Sequence, residues 1–300
     1  MSYRSPMSDI TSTKLGQSES ALKWVGMEKI ALPVLLPVDN QNQALTHCYV
    51  DTFVGLEKKS AKGIHMSRLY RLLNELFSHH LLTNKLIRQY LTQSIIDQNG
   101  ISKSSRVAFS FELALQKKAL VSEFSGYQFY PCKIDVQFKQ QKFFTSVHLT
   151  IPYSSTCPCS AGLAREGLTE QLDAVFEHES INKAQLLDWI NNPENAVPTP
   201  HSQRSFAEIE LCFEGVQIPD LSALVNQFEQ VIGTPLQTAV KRVDEKQFAE
   251  NNGANLLFCE DAARRIKASI EGIEGLVSYN LKVRHLESLH AHDAVVIDYY

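Results

Sequence analysis

The chain has 300 residues, 44% hydrophobic and 21% charged, with 13 glycines and 11 prolines, which excludes a collagen-like or wholly disordered protein. A chain of this length buries about three-quarters of its unfolded surface and needs no disulfides to fold; its six cysteines do not form the dense framework of a small secreted domain. With 29 basic and 33 acidic residues the net charge is −4, so there is no general pull toward nucleic acid and any phosphate affinity must be local. No apolar run approaches the roughly 20 residues that span a bilayer. Residues 1–25 are polar and rich in Ser and Thr, without the pattern of a secretory signal. The expectation is a soluble cytoplasmic protein with neither nucleic acid nor membrane as partner.

After that polar tail, the stretches around 28–36 and 46–55 look extended, although Pro33 weakens the first. Met66, Leu69, Leu73, Leu76 and Phe77 then fall at helical spacing, and a second apolar helix follows at about 83–97. Two alternating strands come next, one carrying Val107, Phe109, Phe111, Leu113 and Leu115, the other Cys132, Ile134, Val136 and Phe138. The polar run Lys139–Gln141 separates them from a strand with Val147, Leu149 and Ile151. About fifty residues then intervene, with helical text at Leu172–Phe176 and Leu186–Ile190 and a Pro-studded exit at Pro193, Pro198 and Pro200; a connection of that length signals a functional loop or an added element. Alternation resumes at Ala207, Ile209, Leu211 and Phe213. Leu221, Leu224, Val225, Phe228, Val231 and Ile232 make a helical stripe, and Leu256, Cys259, Ala263, Ile266 and Ile270 another, with Asn255 placed as its N-cap. Tyr279, Leu281 and Val283 share a strand face with His285 and Glu287, and Val295, Ile297 and Tyr299 mark the last strand.

In outline, strand–strand–helix–helix–strand–strand occurs twice, a repeat of architecture without residue-level identity. Hairpins with helices on one face imply an antiparallel α+β fold. Two halves, 26–139 and 140–300, are expected, the second interrupted at about 163–199.

Four segments could carry chemistry. Cys157-Pro158-Cys159 follows a strand, and the proline keeps its backbone extended, so the turn can present one thiolate as a metal ligand or nucleophile; equally, it could be an inert loop or a redox pair. His201-Ser202-Gln203-Arg204-Ser205 opens the next strand. In a hairpin the end of one strand lies beside the start of the next, which brings His201 to Cys157 while the intervening segment loops out. Glu287-Ser288-Leu289-His290-Ala291-His292-Asp293 lies between the last two strands. It is either a polar hairpin tip or a metal-binding imidazole beside a carboxylate that grips a substrate. One carboxylate can accept both N–H donors on the edge of a guanine ring. Lys241-Arg242-Val243-Asp244-Glu245-Lys246 reads as a solvated loop between helices, whose carboxylate could complete a Cys/His/Glu/His metal set.

Together, the Cys-Pro-Cys-Ser, His-x-Gln-Arg-Ser, Asp-Glu-Lys and Glu-Ser-x-His-x-His-Asp-Ala segments resemble those of the type IB GTP cyclohydrolases, as does Gly63-Ile64-His65-Met66-Ser67-Arg68. The likeness covers most of 26–300. Two departures stand out: residues 163–199 look like an insertion, and Ser202 stands where the family has Asn. The resemblance implies a tandem tunnelling fold whose subunits assemble into barrels, here a homo-oligomer, a tetramer, with active sites at subunit interfaces. It also implies a divalent metal (Zn, Mn or Fe) held by Cys157, His201, Glu245 and His290, with Glu287 anchoring guanine. The choice of Cys157 over Cys159, and of His290 over His292, stays open. The implied reaction takes GTP and water to formate and 7,8-dihydroneopterin triphosphate. Cys157 would also take part in the chemistry, His292 or Cys159 would donate a proton, and His65, Arg68, Arg204, Lys241 and Arg242 are the cations available for the triphosphate. Two rivals are a nitrile reductase of queuosine synthesis on the same fold and a non-catalytic, metal-stabilised interaction module.

Overall fold

Eight strands and seven helices are formed by residues 20–37, 43–178 and 180–300, the parts of the chain that the computed structural model describes. In order they are β1 (Leu22–Pro37), β2 (Gln43–Leu56), α1 (Met66–Phe77), α2 (Asn84–Ile96), β3 (Ser105–Lys118), β4 (Ser125–Lys139), β5 (Lys142–Thr156), α3 (Pro158–Val175) and α4 (Lys183–Asn191). Then follow β6 (Ser202–Glu214), α5 (Leu221–Ile232), α6 (Arg242–Ala254), α7 (Cys259–Glu271), β7 (Leu276–His285) and β8 (Ala294–Tyr299). The strands make one sheet, antiparallel throughout, in the order of the sequence. The two halves expected from the element order thus share a single sheet. They join at the β4–β5 turn, where Gln140 and Gln141 have φ of 52° and 63°, as a two-residue hairpin requires.

Alternation decides which face is covered. Val107, Phe109 and Phe111 of β3, Ile134 and Val136 of β4 and Val147, Leu149 and Ile151 of β5 pack in one core with Leu73, Phe77, Ile87 and Leu91 of α1 and α2. The same core continues into Val225 and Phe228 of α5 and Ile266 and Ile270 of α7. The helix starts are held chemically: the Thr83 side chain accepts from Leu86 N, and that of Asp220 from Ala223 N. The opposite sheet face carries polar pairs such as Arg106–Asp135 and Arg284–Glu208.

Sequential antiparallel order gives the sheet two distinct ends. One collects the C-termini of β1, β3, β5 and β7 with the N-termini of β2, β4, β6 and β8; the other collects the reverse.

Several expectations need correction. β1 begins at Leu22, inside the segment expected to be tail, and tolerates Pro33 because it is an edge strand. Asn255 does not open a helix; it closes α6, and its side chain donates to Ile232 O and accepts from Arg265, which leaves α7 to start at Cys259. Lys241–Lys246 is not a loop: Arg242 onward forms the first turn of α6. On β8 the register Val283↔Val296 turns Val296 toward the core, so Val295, Ile297 and Tyr299 point away from the helices.

Candidate active site

The last pair of the β5–β6 ladder is Thr156↔Ser202, so Cys157 and His201 stand side by side one residue beyond it. Cys157 N donates to His201 O at 3.3 Å, and His201 N to Ser160 Oγ at 3.1 Å. The intervening segment, with α3 and α4, leaves and returns between them. Cys157 is the half-buried N-cap of α3 and Cys159 is exposed; all six cysteines are free thiols.

Glu287 arrives from the neighbouring strand. Leu286 N donates to Arg204 O at 3.1 Å, which ties the exit of β7 to β6 and brings Glu287 Oε2 to 3.8 Å from His201 Nδ1. Both side chains are sheltered, 19% exposed for His201 and 14% for Glu287. Cys157, His201 and Glu287 therefore lie at the same end of the sheet, at the exit of β5, the entry to β6 and the exit of β7.

Beneath the imidazole lies polar packing that sequence reasoning missed. Alternation puts His201, Gln203 and Ser205 on one face of the extended chain. Gln203 Oε1 is 3.1 Å from His201 Nδ1, Gln203 Nε2 donates to Ser155 Oγ at 3.1 Å, and Ser155 Oγ lies 2.7 Å from Ser205 Oγ. Both serines are fully buried. Deeper still, Tyr153 Oη meets His285 Nε2 at 2.9 Å. Burial, with His285 only 2% exposed, pushes its imidazole down to about 4. The spacing of two between His201, Gln203 and Ser205 was the available signal.

The remaining candidates lie further off. Glu245 is exposed in the first turn of α6. Its neighbour Asp244 is buried and accepts from Val121 N, Ser122 N, Ser122 Oγ and Lys241 N at 2.6–2.8 Å. Burial opposes its charge, yet these bonds hold its carboxyl well below the ordinary range. Lys241 Nζ stands 4.4 Å over the Phe124 ring, so the β3–β4 turn grips the start of α6. The other end of α6 reaches the site, where Ser154 Oγ donates to Asn252 Oδ1 at 2.7 Å. Seven residues of helix, about 10 Å, separate Asn252 from Glu245. His290 and His292 are exposed beyond β7, their rings stacked at 5.0 Å. Arg204, Lys241 and Arg242 are exposed, with Arg204 on the strand face opposite Gln203.

His65 and Arg68 are at the far end of the sheet. His65 N donates to Gln98 Oε1 at 2.7 Å, and the Arg68 guanidinium donates to the Asp97 carbonyl, beside the C-terminus of α2. The length of β5, 15 residues or about 50 Å, separates them from Cys157.

The donor chemistry at the Cys157 end suits a divalent metal. Cys157 and His201 are joined through their backbones, and the imidazole's Nδ1 meets the Gln203 amide oxygen, which leaves Nε2 as a ligand in the manner of metal-binding histidines. The four-ligand set is nonetheless not gathered: among the described residues no three His, Cys, Asp or Glu side chains converge on one point. Cys157 and His201 are together, whereas Glu245 and His290 stand apart from them.

Solved structures with this arrangement of strands and helices include a uricase from Arthrobacter globiformis, with a TM-score of 0.50 and 8% identity over 96% of this chain and 95% of that one. A urate oxidase from Bacillus sp. TB-90 also has a TM-score of 0.50, at 7% identity over 93% of this chain and 99% of that one. At such identities the likeness concerns the fold alone, and the class is that of the tandem tunnelling-fold proteins. Among curated proteins, the chain is 46% identical to the GTP cyclohydrolase FolE2 of Pseudoalteromonas atlantica over 97% of its own length and 95% of that protein's. It is 40% identical to the GTP cyclohydrolase FolE2 of Hydrogenovibrio crunogenus, over 97% and 93%. The family model described as type I GTP cyclohydrolase folE2 matches residues 7–296. This chain belongs to that family.

Proposed function

We propose that this chain is a metal-dependent GTP cyclohydrolase I that converts GTP and water to formate and 7,8-dihydroneopterin triphosphate, the first step of tetrahydrofolate synthesis. The observation that carries the reading is the meeting of His201 with Glu287 beside Cys157, in a chain whose relatives are named GTP cyclohydrolases. Glu287, sheltered and acceptor-only when ionised, takes the two adjacent N–H donors of the guanine edge. A divalent ion (Zn, Mn or Fe) would be held by Cys157 and His201, with Glu245 and His290 as its other ligands. When bound, the ion supplies Lewis acidity, which lowers the pKa of water to about 7.

One water adds at C8 of the purine and opens the imidazole ring. A second hydrolysis releases C8 as formate, and closure of the new ring after rearrangement of the ribose expels one water, so the net consumption is a single water. Each C–N cleavage needs a proton at the departing nitrogen, and Cys159 and His292 are the proposed donors. Arg204, Lys241 and Arg242 neutralise the triphosphate. His65 and Arg68 do so from a second copy of the chain, since their own sheet end is remote; the working unit is then a homo-oligomer, proposed here as a tetramer. Six unpaired thiols suit a reducing, cytoplasmic setting. The test is formate release and pterin fluorescence from GTP with metal-loaded and chelated protein. Turnover only in the loaded sample is expected, and intact GTP with a folded, fully loaded sample would overturn the reading.

A further inference from the structure

The arm formed by residues 163–199 stands apart from the core. α3, 18 residues long, buries only Ala161, and α4 buries none of its nine. Leu163, Val175, Ile181, Leu187, Ile190 and Val197 are all exposed on it. A helix as short as α4 is marginal in water unless its apolar face is packed. Among the described residues, nothing in the chain covers these side chains.

The charge of the arm is one-sided, with seven acidic side chains against two basic ones. Leu163, Glu166, Glu170 and Asp173, spaced three, four and three apart, share one exposed stripe of α3. Among the described residues, no carboxylate of the arm is in an ion pair. The opposite pattern follows β2, where residues 58–71 hold Lys58, Lys59, Lys62, Arg68 and Arg71 and no carboxylate. Lys58, Lys59, Lys62 and Arg71 are exposed, and none of these four is in an ion pair among the described residues. Met66 and Tyr70, one turn apart on α1, are exposed among them.

These two surfaces cannot meet within one chain. The arm starts beside Cys157, and His65 lies about 50 Å away at the other end of the sheet, whereas α3 is about 27 Å long. Between copies the geometry is different: a second chain that brings its His65 and Arg68 to the Cys157 end also brings its residues 58–71 within reach of α3. We propose that the 163–199 arm docks on residues 58–71 of a second copy, with Glu166, Glu170 and Asp173 facing the Lys58, Lys62 and Arg71 cluster and Leu163 facing Met66 and Tyr70. The inference rests on the reading that a second copy completes the site, and it makes the arm the element that holds that copy in place.

The test is zero-length carbodiimide cross-linking of the full-length protein without nucleotide, with mass spectrometry of the species that migrates as a dimer under denaturing conditions. The reagent joins a carboxylate only to a lysine that touches it, so an amide between the arm and residues 58–71 forms only between copies. Amides from Glu166, Glu170 or Asp173 to Lys58, Lys59 or Lys62 are expected. Reversing the arm with Glu166→Lys, Glu170→Lys and Asp173→Lys should raise the dissociation constant of the assembly, read by sedimentation, about 10–100-fold. Adding Lys58→Glu, Lys62→Glu and Arg71→Glu to the same chain should restore both the assembly and the cross-links, now with the lysines on the arm. Lysines toward the C-terminus of α3 suit the helix dipole; if the reversal still does not fold, Glu166→Gln, Glu170→Gln and Asp173→Asn replace it, with a smaller weakening expected. A monomeric wild type, arm carboxylates that link only to other lysines, a reversal that leaves assembly unchanged, or a double set that does not recover each overturns the docking. Turnover of GTP is scored apart: cross-links in an inactive protein keep the docking and sink the reaction, and turnover without cross-links does the reverse.

Discussion

Acid should weaken this protein through His285. The imidazole is 2% exposed and sits against Tyr153, and burial depresses it to about 4 from an ordinary 6.5. Between those values the unfolded chain binds a proton that the native chain refuses, so stability rises with pH across the window. The contribution is complete above the unfolded value and is lost as pH falls through 6.5 toward 4. A difference of about 2.5 units, at 1.36 kcal/mol each, amounts to about 3 kcal/mol. Urea unfolding of wild type and His285→Gln at fixed protein concentration, from pH 7.5 to 4, isolates this group from the surface carboxylates that both proteins share. The variant, with no imidazole to protonate, should be less stable at neutral pH and should lose about 3 kcal/mol less on acidification. With m of about 3 kcal/mol per molar, that is roughly 1 M in the urea midpoint. Parallel curves across the whole range would show that His285 titrates alike in the native and unfolded chains, so that its burial costs nothing, which would refute the reasoning.

Glu287→Gln should lower kcat/KM for GTP by roughly 10²–10⁴-fold, since hydrogen bonds to charged groups are worth about 1.5–3 kcal/mol each and two are altered; metal content should not change, and a variant within threefold of wild type would remove Glu287 as the guanine anchor. Arg204→Ala is expected to raise KM for GTP, and an unchanged KM would take Arg204 off the list of triphosphate ligands. Gln141→Gly at the β4–β5 turn should raise stability by about 1 kcal/mol, because φ of 63° is costly for a residue with a Cβ; a lower thermal midpoint would contradict this. Asp244→Ala should speed amide exchange at Val121, Ser122 and Lys241, and unaltered exchange there would mean that the buried carboxylate does not anchor the β3–β4 turn to α6.

The strands were legible because period-two alternation survives wherever one face of a sheet is covered, and here one face is covered from β1 to β8. Where the signal failed, a local partner outweighed it. The Asn255 amide is taken up by the Ile232 carbonyl at the end of α5 and cannot cap α7. α6 begins in a charged run and buries only Asp244, so no apolar stripe announced it. The β8 residues Val295, Ile297 and Tyr299 alternate correctly but face away from the helices, since alternation gives the period and only the partner strand gives the face.

For the site, strand pairing carried the inference from Cys157 to His201, whereas Glu287 was named only by the family resemblance, and it is the structure's β6–β7 register that sets it beside His201. The same rule, applied to the order of strands alone, separates the His65–Arg68 segment from them. In a sheet whose strands follow one another antiparallel, chain leaving an even-numbered strand and chain leaving an odd-numbered one emerge at opposite ends. His65 follows β2 and Cys157 follows β5, so no rearrangement of loops within one chain can join them across about 50 Å of sheet. If both segments touch one substrate, the second must come from another copy. Mixing inactive His201→Ala with inactive Arg68→Ala protein should then regenerate activity at shared interfaces, whereas mixtures as inactive as their parents would confine the site to a single chain.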